Sequence, residues 1–283
     1  MSTDTQTPAG TAADPFRYGW RWVIQTRPDG RKERVQVPLQ KEDLLHPEED
    51  DFIVQTPDHD ALCRYLANVC ETRLAGRADV LVTHDVRIDW EVEGLRPHGP
   101  DVAIFEGLSQ RVPGNTGTLL VKQRGARPLM VIEVTSVNTR KNDLNTKVYH
   151  YRRAGVPFYA IVDLYSEDEA NPIELLAYRN TGEAFLRVEL DEQDRLWLEP
   201  IRVWLAVEGN QVVCQDEKGE RIRGYAELTQ AVQQADARAE EAQALTEEAV
   251  EARRLAEAGA ADAAKSQQAA EKQGKTREDR EPT

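Results

Sequence analysis

The sequence predicts an α/β protein: a mixed β-sheet flanked by helices, extended by antiparallel strands and followed by a long C-terminal helix. Three observations carry that expectation. An apolar strand pattern, a helical pattern and a second apolar strand pattern succeed one another through Pro128–Thr135, Asn142–Ala154 and Pro157–Leu164, as in the crossover of an α/β core. From Ile173 to about Ile222 short β-rich runs alternate with NTGE, DEQD, EGN and EKGE, which reads as an antiparallel meander that extends or caps the core sheet. From Tyr225 onward Ala, Glu and Gln dominate and no proline intervenes before Pro282.

The remaining elements follow in order. Tyr18–Thr26 and Glu33–Leu39 are strand-like and flank Asp29-Gly30, a favourable hairpin turn. KEDLLHPEEDD, broken by Pro47, predicts a short helix and a loop. Pro57-Asp58 opens a helix to about Leu74, with Leu62, Leu66 and Val69 at helical spacing. Val80–Glu93 is β-rich enough for one long strand or two short ones, and Pro100–Phe105 adds another. Gly155 stands where the helix before Pro157 should stop. In the tail, Leu228, Val232, Ala235, Ala239, Ala242, Leu245, Ala249, Ala252 and Ala256 form a heptad-like stripe, with fraying expected beyond Gly259. The expected organisation is a disordered leader over residues 1–16, a single domain over 17–224 and a helical tail over 225–283.

Composition narrows the function. No run approaches the ~18 apolar residues that a membrane span needs. Residues 1–14 have neither a basic start nor an apolar stretch, so no secretory signal is expected. Cys63, Cys70 and Cys214 are odd in number and lack CxxC spacing, which argues against a disulfide framework or a zinc site and fits a reducing cytoplasm. A net charge of −14 opposes nucleic acid as a partner for the molecule as a whole. Locally, Arg140–Arg153 holds five basic residues and one acid, Asp143, for a charge of +4, and Lys122, Arg124 and Arg127 form a second basic run.

Two carboxylates sit where carboxylates are costly. Glu133 interrupts MVIEV and by alternation shares a face with Val131 and Thr135; Asp101 opens the VAIF strand. A buried carboxylate without a partner is neutralised or costs several kcal/mol. Such acids persist when paired, hydrogen-bonded or bound to a cation, and hard oxygen ligands suit Mg²⁺. Asp143, Lys147 and Tyr151 recur every four residues along one helical face, from which Lys147 can reach Glu133. Taken singly, each of these also suits an ordinary Asp–Lys pair beside a core tyrosine.

Together they resemble a family. GPDVAIF followed by PLMVIEVTSVNTRKNDLNTKVYHYRRAGVPFYAIVDL is similar to the signature of the Uma-two family of endonucleases, which is abundant in bacteria and belongs to the restriction-endonuclease-like PD-(D/E)XK superfamily. The matching positions are Pro100-Asp101, then Glu133, Val134 and Ser136, then Asp143, Lys147 and Tyr151, then Gly155-Val156, and Asp163. The chain departs from the superfamily at Thr135, where a lysine is usual; Lys147 on the helix takes that place, as the family pattern expects. Val137 replaces a common proline and Ala160 a frequent tryptophan. For a fourth residue on the first core helix, His59 occupies a position where the family often has histidine, with Asp60 and Glu71 as other candidates.

The resemblance implies a restriction-endonuclease-like core and metal-dependent hydrolysis of phosphodiester bonds in DNA. Asp101, Glu133 and the main-chain carbonyl of Val134 would hold Mg²⁺, with Mn²⁺ able to substitute, and Lys147 would assist the attacking water. His59, Ser136, Asp143 and Tyr151 are accessory candidates. The alternative is a catalytically silent nuclease-fold module that binds DNA or protein and assembles as a homo-oligomer through its tail.

Overall fold

The computed structural model describes residues 14–110, 112–168 and 171–278, so most of the expected leader lies outside the described residues. Two compact units are present, residues 1–224 and residues 225–283.

The first unit begins with β1 (Gly19–Thr26), β2 (Lys32–Pro38) and β3 (Phe52–Ile53), a small antiparallel sheet ordered β2-β1-β3. Gly19 is needed there: its φ is +109°, and an added Cβ would stand 1.8 Å from the Phe52 carbonyl oxygen. Next come α1 (Pro57–Leu74), β4 (Leu81–His84), β5 (Arg87–Asp89), β6 (Val102–Glu106), β7 (Thr118–Leu120) and β8 (Arg127–Val134). The Thr56 hydroxyl caps α1 by accepting the His59 amide, and Pro57 occupies the first turn, where its missing N–H costs nothing. After β8 the chain makes one π-helical turn (Asn142–Thr146), continues as α2 (Lys147–Arg153) and returns through β9 (Phe158–Asp163).

The core is a six-stranded sheet ordered β11-β10-β9-β8-β6-β4, where β10 is Glu174–Asn180 and β11 is Phe185–Arg187. Only β8 and β9 run parallel, as a crossover through a helix requires; every other pair is antiparallel. The central strands are apolar on both faces because both are covered. One face packs Val102, Ile104, Met130 and Ile132 against Cys63, Leu66 and Cys70 of α1. The other packs Ala103, Phe105, Val131 and Ile161 around Tyr151 of α2 and Trp90.

Two details differ from the sequence reading. The predicted uniform helix from Asn142 starts as a π turn, which needs i→i+5 hydrogen bonds that no periodicity announces. As expected, the meander both extends and caps the core sheet: β10 and β11 join it, and β12 (Leu196–Leu198), β13 (Val203–Glu208), β14 (Gln211–Gln215) and β15 (Arg221–Ile222) form a sheet of their own that shares the core cluster. Tyr65 of α1 ties that sheet down, donating its hydroxyl to the Ile222 carbonyl at 2.7 Å and accepting the Cys214 amide at 2.9 Å. β7, within a glycine-rich segment, pairs parallel with β5 and was not expected.

The second unit is a single helix, α3 (Tyr225–Glu278). It continues through Gly259, where fraying was expected, because one glycine costs only about 1 kcal/mol amid strong helix formers. Leu228, Val232, Leu245 and Leu255 are half or more exposed. No helix among the described residues is long and apolar enough to cross a membrane.

Both apolar clusters are closed by residues preceding Gly224. Ending the chain at Gly224 is therefore expected to leave its melting temperature within about 2 °C of the full chain, less than ~1 kcal/mol for a unit of this size. A drop of ten degrees or so in a thermal scan would show that the helix supports the core.

Candidate active site

The functional candidates gather where β8 ends beside the N-termini of β6 and α1. The Val134 peptide joins two of them: its N–H donates to Asp101 Oδ2 at 2.7 Å, and its carbonyl accepts from His59 Nε2 at 2.9 Å. His59 Nε2 also lies 3.6 Å from Asp101 Oδ2. That nitrogen carries a proton, since it donates to a carbonyl, and Asp101 beside it favours the charged ring. Burial opposes this charge, but Asp101 and the Val134 carbonyl outweigh it and raise the His59 pKa to about 9. Asp101 in turn is held below the ordinary carboxylate range: burial pushes it up, and His59, Lys147 and the Val134 amide prevail.

One strand position away, Glu133 is 1 % exposed and faces α2. Its Oε1 accepts from Lys147 Nζ at 2.9 Å and from the Tyr151 hydroxyl at 2.5 Å. Lys147 Nζ also meets Asp143 Oδ1 at 2.9 Å, and all three charged groups are buried. The π turn thus brings Asp143 and Lys147 inward together. Counting charges, Asp101, Glu133 and Asp143 face only two cations, His59 and Lys147. Lys147 is kept charged, since the three carboxylates outweigh its burial. The excess falls on Glu133, whose pKa rises to about 8 through burial, against Lys147 and with help from Asp101 and Asp143. Asp143 is raised by burial as well, again against Lys147.

These groups open on a cleft of about 960 Å³ lined by Asp101, Glu133, Lys147, His59 and Ser136. Its wall also carries Glu48, Glu49, Asp51, Asp60 and Asp85 against Arg17 and Arg87, so carboxylates dominate. Both donors to Glu133 fall on Oε1 and both partners of Asp101 on Oδ2; among the described residues no donor reaches Glu133 Oε2 or Asp101 Oδ1. A negatively charged cluster with two carboxylate oxygens unclaimed fits a cation better than an anion. The Val134 carbonyl, already accepting from His59, retains its second lone pair.

Other candidates lie further from the chemistry. The Ser136 hydroxyl is 3.0 Å from Thr139 Oγ1 and accepts the Thr139 amide at 3.2 Å, shaping the turn into the helix. Asp60 pairs with Arg64 at 2.7 Å on the surface of α1, and Glu71 is exposed. Asp163 is wholly buried, accepting from Thr135 Oγ1 at 2.8 Å and from Arg140 Nε at 3.0 Å, which fixes the ends of β8 and β9. The basic run 140–153 does not form one exposed patch: Lys147 is buried, Arg140 holds Asp163, and Arg152 and Arg153 donate to the carbonyls of Glu183 and Glu93.

Sequence reasoning passed over two features. Asp85, in the turn after β4, has φ +55°, a strained conformation for a residue with a side chain, and its carboxyl pKa is raised by partial burial and by Asp101. An acid directly before a strand break was the available signal. His46, His98 and His150 also converge, with one nitrogen of each within 4.8 Å of the others. The indole N–H of Trp90 donates to His98 Nδ1 at 3.0 Å. Since an indole only donates, His98 keeps its proton on Nε2, 2.8 Å from His150 Nδ1. The cluster is therefore a hydrogen-bonded support, and His98 packs on Tyr151 with ring centroids 5.3 Å apart. Burial and Lys147 hold His98 neutral, with its pKa down at about 2.

Two comparisons with known proteins return matches. A family model described as "Uma2: Putative restriction endonuclease" matches residues 33–208. The crystal structure of a "putative nuclease belonging to DUF820" from Anabaena variabilis shares 16% sequence identity, covering 57% of this chain and 74% of that one at a TM-score of 0.36. No curated protein matches significantly.

The charge excess has a pH signature. Between its ordinary value near 4.5 and about 8, Glu133 binds more proton folded than unfolded, so stability falls as pH rises through that window. His59, raised from 6.5 to about 9, stabilises fully below 6.5 and loses that contribution as pH climbs through 9. Metal-free protein is expected to melt progressively lower from pH 5 to pH 8, and Glu133→Gln should flatten the part below about 6.5 while leaving the His59 part. An unchanged slope in the variant would remove Glu133 from this role.

Proposed function

We propose, from the premise that this chain belongs to the Uma2 family whose model spans residues 33–208, that it is a divalent-metal-dependent endonuclease acting on DNA. One observation carries the reading. Three buried carboxylates share two cations at the cleft, with an oxygen of Asp101 and one of Glu133 left without a donor. Asp101, Glu133 and the Val134 carbonyl are the groups that would hold the ion, Mg²⁺ or in its place Mn²⁺. When bound, it supplies positive charge against the phosphate oxygens.

The chain's own residues do the rest. His59 and the Val134 amide keep Asp101 ionised and oriented, so its free oxygen is presented without loss of geometry. Tyr151, held by Trp90, His98 and Tyr159, fixes Glu133 from one side. Lys147, charged and held by Asp143, lies at the cleft wall, where its ammonium can orient water or balance charge gathering on phosphorus-bound oxygens. The second reading, a silent module that binds DNA or protein and assembles through its tail, draws on the net charge of −14; the full set of Asp101, Glu133 and Lys147 at the cleft weighs against it.

Supercoiled plasmid incubated with the protein and Mg²⁺ should be nicked, and chelation with EDTA should stop it. Glu133→Gln is expected to lower that rate by roughly a hundredfold or more, as removal of one preorganised electrostatic partner does. It should leave the melting temperature equal or higher, since it deletes the uncompensated charge. Lys147→Ala is expected to destabilise by about 3–5 kcal/mol because Glu133 and Asp143 lose their shared cation. Normal cleavage by Glu133→Gln with a lowered melting temperature would instead mark Glu133 as a structural partner of Lys147.

A further inference from the structure

The hairpin at the start of the chain carries a pattern that the cleft chemistry leaves unused. Register places Trp22 opposite Gln36 and Ile24 opposite Arg34, so Trp20, Trp22, Ile24, Arg34 and Gln36 share one face. The opposite face, with Val23, Val35 and Val37, is half-buried. An ordinary two-faced hairpin gives water its polar side, yet here Trp22 is 42 % and Ile24 72 % exposed. The Arg34 guanidinium lies over the Trp22 ring, 4.8 Å from its centroid. Phe52, 55 % exposed, stacks on Trp20 with ring centroids 4.1 Å apart. Phe52 also lines the catalytic cleft together with Arg17 and Tyr18, so the surface runs into the cleft.

Charge sets the kind of ligand. Residues 17–38 contain six basic side chains and two acidic ones, within a chain of net charge −14. Arg21 is taken by Asp43, Glu48 and Asp51, and Arg27 by Glu33. Arg31 lies near Asp29, whereas Arg17, Lys32 and Arg34 have no acidic partner among the described residues. Exposed aromatic rings and a stacked guanidinium beside unneutralised cations match unpaired bases on a phosphate backbone. A duplex keeps its bases stacked inside and offers no ring face to such a surface. A second copy seated two-fold on this face would bring like cations together. β1 also lies upstream of residues 33–208, so the family match does not account for it.

We propose that the outer face of β1 and β2, centred on Trp22 and Arg34, is a stacking platform that binds single-stranded DNA and leads it toward the cleft. The choice of ligand rests on the nuclease reading.

The test measures binding apart from chemistry. Full-length Glu133→Gln protein is titrated onto fluorescein-labelled oligothymidylate in Ca²⁺, with the anisotropy read at several salt concentrations and a duplex of equal length as comparison. The single strand should bind more tightly than the duplex. Adding Trp22→Ala should weaken it by about tenfold or more, and Trp22→Phe should retain most of the affinity. Arg34→Ala should weaken binding and make the salt dependence shallower by about 0.7 per lost phosphate contact. Equal affinity for duplex, or unchanged binding by both alanine variants at unchanged melting temperature, would overturn the platform. So would a change in mass by light scattering on Trp22→Ala, which would make the face a contact between copies. Wild-type plasmid cleavage reports separately on the nuclease reading: cleavage with variant-insensitive binding refutes only the platform, and Trp22-dependent binding without cleavage refutes only the nuclease.

Discussion

At the buried end of β8, three carboxylates are held by two cations, and most of the first unit's architecture serves to hold them there. Asp101, Glu133 and Asp143 come from the start of β6, from β8 and from the π turn, while His59 and Lys147 come from α1 and α2. Burial makes each opposite-charge contact stronger and each uncompensated charge more costly. Asp101 keeps its charge through His59 and a backbone amide, Lys147 keeps its own, and burial raises the pKa of both Glu133 and Asp143, that of Glu133 to about 8. In the proposed reading, a divalent cation held by Asp101 and Glu133 would relieve the same excess of negative charge.

The surrounding structure fixes the cluster's geometry. Thr135, Arg140 and Asp163 lock the parallel strands β8 and β9 at their ends. The chain Trp90–His98–His150 sets one tautomer behind Tyr151, so the ring that donates to Glu133 has little freedom. Cations that looked available in the sequence are spent in this way, and the cleft rim is acidic. In the nuclease reading, attraction for a polyanion would come from elsewhere on the unit, and the N-terminal hairpin is a basic and aromatic surface that adjoins the cleft.

Much of this was legible in the sequence, for identifiable reasons. Carboxylates interrupting apolar strands mark Asp101 and Glu133, and spacing of four sets Asp143, Lys147 and Tyr151 on one side, where Nζ meets Glu133 at 2.9 Å. Long elements were readable too: Pro57 and Leu74 bound α1 where the proline and the apolar spacing place them. What was hidden depends on pairing across the chain. His59 meets Val134 across 75 residues, and nothing local in PDHDAL announces it. The π turn has no periodicity of its own, and strands as short as β7 and β15 gain their stability from neighbours. The charge of +4 over 140–153 does not translate into a surface patch, because linear charge ignores partners such as Asp163 and Glu133.

The central claim is that Glu133 carries the charge excess and that a divalent cation relieves it. Carboxyl-¹³C labelling of glutamate, with Glu133→Gln to assign the signal, allows its titration to be followed by NMR with and without Mg²⁺. The account requires a midpoint of about 8 in the metal-free protein, and a shift of at least about one unit downward when Mg²⁺ is added, the mark of a cation favouring the ionised form. A metal-free midpoint near the ordinary glutamate value, or one that Mg²⁺ does not move, would contradict it.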